Sequence, residues 1–362
     1  MSIFYKNILW VMIFATLSFF VQMYDEKTID GVKTRRIQTI WALVGIAPII
    51  YWAAYRPFNI GDTYAYSQAF ENMPSTISGF LPYMNTITKD AGFYGMASLI
   101  KIFITDNVNL YFLVLAAFQG IVLMHLYKKY SSNYILSIFL FIASTDYISW
   151  MYNGVRQFTA VTITLLAFKY ILENRKVPAI LIIIFASFFH GSALLLIPFV
   201  FIAQGDAWNK KTIAFILATL VAIMFIDKFT NILDTLLQET QYENVVSDWN
   251  EWGDDGTNIL RVLVYAVPTI LSLVGLKYVR FENNKLINIC VNMSIVSTGL
   301  YLVSMVTSGI FIGRLPIYFS LYNYILLPWE IDTIFEKKSA KLIYTMLFIF
   351  YMAFYIYSVR GM

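Results

Sequence analysis

Residues 154–203 read GVRQFTAVTITLLAFKYILENRKVPAILIIIFASFFHGSALLLIPFVFIA. Two apolar runs flank the polar island Glu173-Asn174-Arg175-Lys176. Each is near or above the roughly 20 residues that a helix needs to cross a hydrocarbon core. The first run opens on Arg156-Gln157, and the second carries one histidine, His190, in its middle. Ionisable side chains at membrane depth cost about 2.5–3.5 kcal/mol on insertion scales, so those that persist there are candidates for function.

The pattern repeats outward to both ends. Apolar runs fall at about 5–24, 37–55, 108–127, 133–151, 212–228, 259–278, 286–308, 312–331 and 341–358. The chain is 59% hydrophobic and 13% charged, with a mean hydropathy of +0.65. Those values exclude an ordinary soluble domain, and the alternating pattern of an outer-membrane barrel is absent. The expected fold is all-α, a polytopic integral membrane protein with about 11–12 membrane segments. Residues 1–362 read as a single transmembrane domain with long extracytoplasmic loops at about 56–107 and 229–258. The run Ile8 to Met23 has no small-residue cleavage site and reads as a retained first span.

The net charge is +4, and the basic residues cluster in short loops where they orient spans, so no nucleic-acid partner is expected. Cys290 is the lone cysteine and lies in an apolar run, which excludes an intrachain disulfide and suits a small core residue.

Placing the Lys/Arg clusters in the cytoplasm puts both termini and both long loops outside. One count then fails, because a single apolar run separates Lys176 from Lys210. Either the run is one long tilted helix that leaves Lys210 and Lys211 outside, or it breaks at His190-Gly191 and returns. The second reading is preferred, with a re-entrant pair of arms of about 13 residues, roughly 20 Å each, and Gly191 supplying the break. Asp62, Arg156, His190, Arg261 and Arg314 are then expected to share the outer leaflet.

Arg156, Arg261 and Arg314 are candidate anion ligands, since the planar guanidinium matches phosphate oxygens two at a time. Snorkelling or structural pairing is their plainer explanation. Gln157 stands beside Arg156 as a further substrate-binding candidate. His190 suits a general base near neutral pH, although a lone buried histidine is often only a satisfied core group. It has no ligand-spaced neighbours for a metal. His125, beside Lys128, reads as structural. The first long loop opens RPFNIGDTYAY from Arg56 to Tyr66. There Asp62 suits a sugar hydroxyl and Tyr64 and Tyr66 suit ring stacking, while an Asp N-cap fits the spacing equally. The acidic stretch 239–255 could bind sugars or cations, but a solvated charge run is the commoner role of such a segment.

Four short motifs together resemble the EpsG-type family of exopolysaccharide biosynthesis proteins, which group with Wzy-type polysaccharide polymerases. They are Gly61 to Tyr66, Gly154 to Ala160, Ala186 to Leu194 and Gly313 to Phe319. Thr159 stands where a small aliphatic is common, and Gly191 separates His190 from Ser192 where the two often adjoin. The resemblance implies a GT-C-like membrane fold and an inverting glycosyltransferase on the outer face of the bacterial inner membrane. It would join undecaprenyl-pyrophosphate-linked oligosaccharide units and release undecaprenyl pyrophosphate, without metal, nucleotide sugar or other cofactor. The absence of a DxD-like carboxylate pair in an inner loop agrees. The implied partners are the lipid-linked donor and acceptor, membrane lipid, a flippase and a chain-length regulator. Arg156 and Arg314, assisted by Arg261, would hold the donor pyrophosphate, and His190 or Asp62 would act on the acceptor hydroxyl. An O-antigen-ligase-like transferase, a lipid-linked oligosaccharide flippase or transporter, and a scaffold subunit are the rival expectations.

Overall fold

Asparagine starts many of the helices. The side chains of Asn107, Asn133, Asn209, Asn258 and Asn284 each accept one or two backbone N–H groups of the helix that follows. Each such cap satisfies donors that a helix start leaves open, for about 1 kcal/mol. The computed structural model describes residues 2–29, 32–237, 253–360 and 362. It is 76% helical.

Among the described residues, three helices are long and apolar enough to cross a membrane: Val108–Tyr130, Lys285–Met305 and Lys337–Val359. Three bent pairs, with angles of 75°, 101° and 72°, raise the number to six if each pair is one span. Five shorter apolar helices accompany them. The chain is a multi-pass membrane protein, and its apolar runs are interrupted more often than hydropathy alone suggests. The 133–151 run, for example, breaks at Thr145, whose φ of 67° leaves the right-handed helix.

One correction to the all-α expectation concerns the end of the first run. Helix α1 (Ile3–Leu17) stops early, and β1 (Tyr24–Ile29) pairs antiparallel with β2 (Val32–Ile37). Asp25 lies opposite Arg36 and Glu26 opposite Arg35 in that register. Asp25 accepts from Gln38 Nε2 at 2.7 Å and Arg36 donates to Ser131 O at 3.0 Å, and the sequence Asp30-Gly31 is a hairpin signal that periodicity does not register.

The chain divides into two compact units. The first comprises residues 1–170, 176–194 and 346–362. It contains α2 (Thr39–Ala54), α3 (Thr63–Glu71), α4 (Ile77–Met84), α5 (Ala91–Phe103), α6 (Val108–Tyr130) and α7 (Tyr134–Ala143). A π-helix (Tyr147–Asn153) leads into α8 (Val155–Leu165), then α9 (Phe168–Leu172) and α10 (Lys176–Ser187). Buried tyrosines tie it together. Tyr147 and Tyr355 share a hydroxyl hydrogen bond of 2.6 Å, and the Tyr355 hydroxyl donates to Phe4 O at 2.6 Å. Tyrosine buries a large ring this way without stranding its hydroxyl.

The expected interruption near His190 is present. Helix α10 ends at Ser187, a 3-10 turn covers Gly191–Leu195, and α11 (Leu196–Ile202) follows. Its cause differs from expectation, because Gly191 does not adopt a positive φ. The Phe188 carbonyl instead accepts the Gly92 N–H at 2.8 Å. A Cβ on Gly92 would lie 2.9 Å from that oxygen. The glycine that permits the junction is therefore on α5.

The second unit comprises residues 171–175 and 195–345. Helix Lys285–Met305 is its buried centre, packed by Lys210–Met224, Ile259–Val274 and the broken segment 312–334. Polar contacts join these helices: Thr269 to Ser294 at 2.6 Å and to Thr298 at 2.8 Å, and Asn292 Nδ2 to Ala203 O at 3.0 Å. Cys290 is fully buried here, as expected of a core residue.

Candidate functional site

Within the first unit, the π-helix places the start of α8. Its final turn bonds Gly154 N–H to Ser149 O at 2.9 Å and presents Asn153. The Asn153 side chain accepts the Asp62 N–H at 3.0 Å. Gly61 allows that approach, since its φ is +50° and a Cβ would lie 2.8 Å from Asn153 Oδ1. Beneath this loop Arg56 is buried, with Nε donating to Thr63 Oγ1 at 2.7 Å and its guanidinium 4.1 Å from the Phe112 ring centre. Burial pulls Arg56 down to about 10, with the neighbouring tyrosines working against it. Segments 56–66 and 152–156 are thereby locked together.

Arg156 follows on the first turn of α8, where the positive end of the helix adds to its charge. Its Nη1 donates to Asp90 Oδ2 at 2.8 Å and to the Tyr94 hydroxyl at 3.4 Å. The Tyr66 hydroxyl accepts its backbone N–H at 3.5 Å. The Arg156 side chain stays 34% exposed, whereas that of Asp90 is 5% exposed. Burial pushes the Asp90 carboxyl above the usual range, while Arg156, the Gly191 N–H and Lys89 pull it down. Burial likewise raises the Tyr66 phenol against the pull of Arg156. Asp90 sits two residues before Gly92, so the Gly92–Phe188 contact also brings the His190 segment to this cluster. His190 Nδ1 lies 2.7 Å from Ser192 Oγ.

An apolar groove is lined by sequence neighbours of this cluster. It consists of two adjoining cavities of about 580 and 280 Å³ that share Met96, Phe185 and Phe189. Gly92, Thr159 and Phe189 line it, and they lie within three residues of Asp90, Arg156 and His190 respectively. The groove continues along α8 past Ile163 to Leu166, about 15 Å along the helix from Arg156.

Arg156, Asp62, Tyr64, Tyr66 and His190 thus all belong to the first unit. Asp62 is exposed at the start of α3 without capping it, and Tyr64 is 61% exposed. Gln157 is buried. The sequence reading missed Asp90 and Tyr94, because Lys89-Asp90 before an apolar helix looks like an ordinary N-cap. The one available signal was a second aspartate inside the same aromatic loop as Asp62.

Arg261 and Arg314 lie in the second unit. Asp254 anchors the segments that carry them. Its carboxylate accepts the Ser308 hydroxyl at 2.5 Å and the N–H groups of Gly309, Ile310 and Gly256 at 3.0, 2.9 and 3.1 Å. Partial burial works to raise its pKa, but these four donors outweigh it and hold the group below the usual range. Thr257 N–H donates to Ser304 O at 3.0 Å, and Ser304 Oγ to Thr257 Oγ1 at 2.7 Å. Arg261 follows in the first turn of Ile259–Val274, and Arg314 ends the turn Ile312–Arg314. In the acidic stretch 239–255, Glu239, Glu243, Asp248 and Glu251, with Trp249 and Trp252, lie outside the described residues, and Asp254 serves this clasp.

Comparison with known proteins gives a family match described as EpsG family over residues 39–362. Neither the curated proteins nor the solved structures gave a match. That match spans all four motifs and nearly the whole described fold, so the chain belongs to the EpsG family, membrane proteins associated with exopolysaccharide biosynthesis.

Proposed function

We propose that the chain is a polysaccharide polymerase of the bacterial inner membrane. It joins undecaprenyl-pyrophosphate-linked oligosaccharide units at a site facing outward. The observation that carries this reading is a part-exposed, permanently charged arginine on the helix whose Thr159 and Ile163, three and seven residues on, line an apolar groove. Such a site matches an amphiphile with an anionic head and a long hydrocarbon tail.

In this reading Arg156 binds the donor diphosphate and the groove takes the first part of the polyprenyl chain. The acceptor hydroxyl attacks the anomeric carbon, and the bond to the diphosphate breaks with its electron pair. The diphosphate leaves as a stable anion, so charge neutralisation by Arg156 does most of the work. His190 or Asp62 takes the hydroxyl proton, and the exposed ring of Tyr64 holds sugar, with part-buried Tyr66 beside Arg156. Arg261 and Arg314 are proposed as anion ligands of the second unit. A flippase would supply the substrate and a chain-length regulator would limit the product.

The test uses membranes containing wild type, Arg156→Ala or His190→Ala, supplied with the host's lipid-linked repeat unit. A ladder of rising repeat number from wild type, lost in Arg156→Ala at equal protein level, is the expected result. Unchanged substrate from well-folded wild type, moved across the bilayer, would replace the polymerase by a transporter.

A further inference from the structure

Asp90 breaks two local rules at once. Its backbone is left-handed, φ 54° and ψ 39°, in a residue that is not glycine. It also stands at the N-cap of α5, where an aspartate normally accepts a backbone N–H, yet its side chain caps nothing. The carboxylate turns to Arg156 instead. Oδ2 takes the 2.8 Å bond, whereas Oδ1 is buried and, among the described residues, has no hydrogen bond of normal geometry, although the Gly191 N–H favours the charged carboxylate. A strained backbone, a forgone cap and an undersatisfied buried anion, all in one residue, mark a position held for something other than stability.

What Asp90 does to Arg156 follows from charge and geometry. It fixes Nη1, so the guanidinium cannot swing. It also places a negative charge, 5% exposed, behind a cation that is 34% exposed. Any diphosphate that reaches Arg156 from the open side meets a cation already partly neutralised. Within a dry protein setting that repulsion is strong at separations of several ångströms.

The geometry points to Asp90 as a positioning residue that aims Arg156 and weakens its hold on the diphosphate, so that the lipid diphosphate product can leave. This inference rests on the reading of Arg156 as the diphosphate ligand. A bare arginine with a helix N-terminus behind it would bind donor and product alike, and tight product binding stalls turnover without speeding the chemistry. The carboxylate lowers both affinities together.

The test measures binding of undecaprenyl diphosphate and of inorganic pyrophosphate to the full chain in nanodiscs. Wild type is expected to bind, and Arg156→Ala to lose that binding. Asp90→Asn keeps a hydrogen-bond acceptor for Nη1, tolerates the left-handed backbone and removes the charge. It is expected to bind undecaprenyl diphosphate about tenfold tighter. In chain extension it is expected to be inhibited by added undecaprenyl diphosphate at about tenfold lower concentration, with a lower turnover. Asp90→Gly, which suits φ 54° and removes the whole side chain, is also expected to bind tighter than wild type. Equal or weaker binding in both variants, at an unchanged melting temperature, overturns the role of Asp90 and leaves that of Arg156 standing. Failure of wild type to bind, or binding indifferent to Arg156→Ala, removes the diphosphate reading itself.

Discussion

Asp90 and Asp254 are both loop aspartates next to the start of a helix, and they are treated in opposite ways. Asp254 accepts four hydrogen bonds and is held charged below the usual carboxylate range. Asp90 takes the Arg156 ion pair and the pull of the Gly191 N–H, has no bond of normal geometry at Oδ1 among the described residues, and is pushed above that range by burial. A carboxylate with its donors supplied is a fastener. One buried with donors missing is poised against something it does not yet touch. The same residue type therefore clasps two loops in the second unit and restrains a ligand-facing cation in the first.

Arg156→Lys is expected to break the comparison most sharply. Lysine can still pair with Asp90, so a merely structural pair would survive the change with activity within a few fold. A diphosphate ligand would lose its two-pronged geometry, and chain extension is expected to fall by about 100-fold or more in a membrane ladder assay. Gly92→Val comes next. Its Cβ would lie 2.9 Å from Phe188 O, which must shift. The junction that joins Asp90 to the His190 segment is expected to lose about 2 kcal/mol of stability, read from thermal melting. Asp254→Asn can accept fewer of the four bonds, and a loss of about 1–2 kcal/mol is expected.

The two aspartates also carry opposite pH signatures. Asp254 has a depressed native pKa, so its contribution is present above about 3.9 and fades as pH falls through the lower native value. Asp90 has a raised native pKa, so the contribution of its protonated form is present below about 3.9 and fades as pH rises through the higher native value. Melting curves across pH are expected to lose the acid-side fall in Asp254→Asn and the opposite slope in Asp90→Asn. Parallel slopes in the two variants would erase the distinction.

Much of this was legible from residue patterns. Runs of apolar residues gave the membrane class, and Arg156 stood out because a guanidinium at an apolar run is costly. The misses share one cause, which is that they depend on partners distant in sequence. Asp90 looks like a cap until Arg156, 66 residues away, claims its carboxylate. The interruption at 188–190 looked like a property of Gly191, but it is made by Gly92 donating across from α5. The pairing of 24–29 with 32–37 was different, since Asp30-Gly31 is a readable hairpin signal in the sequence that hydropathy simply outweighed. Periodicity finds which residues are buried against lipid or core. It does not say which carbonyl a distant N–H will take.

Gly191→Ala is the smallest predicted effect and the cleanest test of that lesson. If the break in the 177–203 run came from the freedom of Gly191, alanine there would extend α10 through His190 or strain the turn. Either outcome would cost about 1 kcal/mol or more. In the structure Gly191 opens a 3-10 turn without a positive φ, a conformation that alanine adopts at no penalty. The carbonyl that leaves the helix is already taken by Gly92 at 2.8 Å, and that bond does not involve residue 191. Alanine is therefore expected to leave the unfolding free energy within about 0.5 kcal/mol of wild type, against the much larger loss at Gly92. A reversal of that order, with Gly191→Ala the more damaging, would return the break to local sequence and remove α5 from its cause.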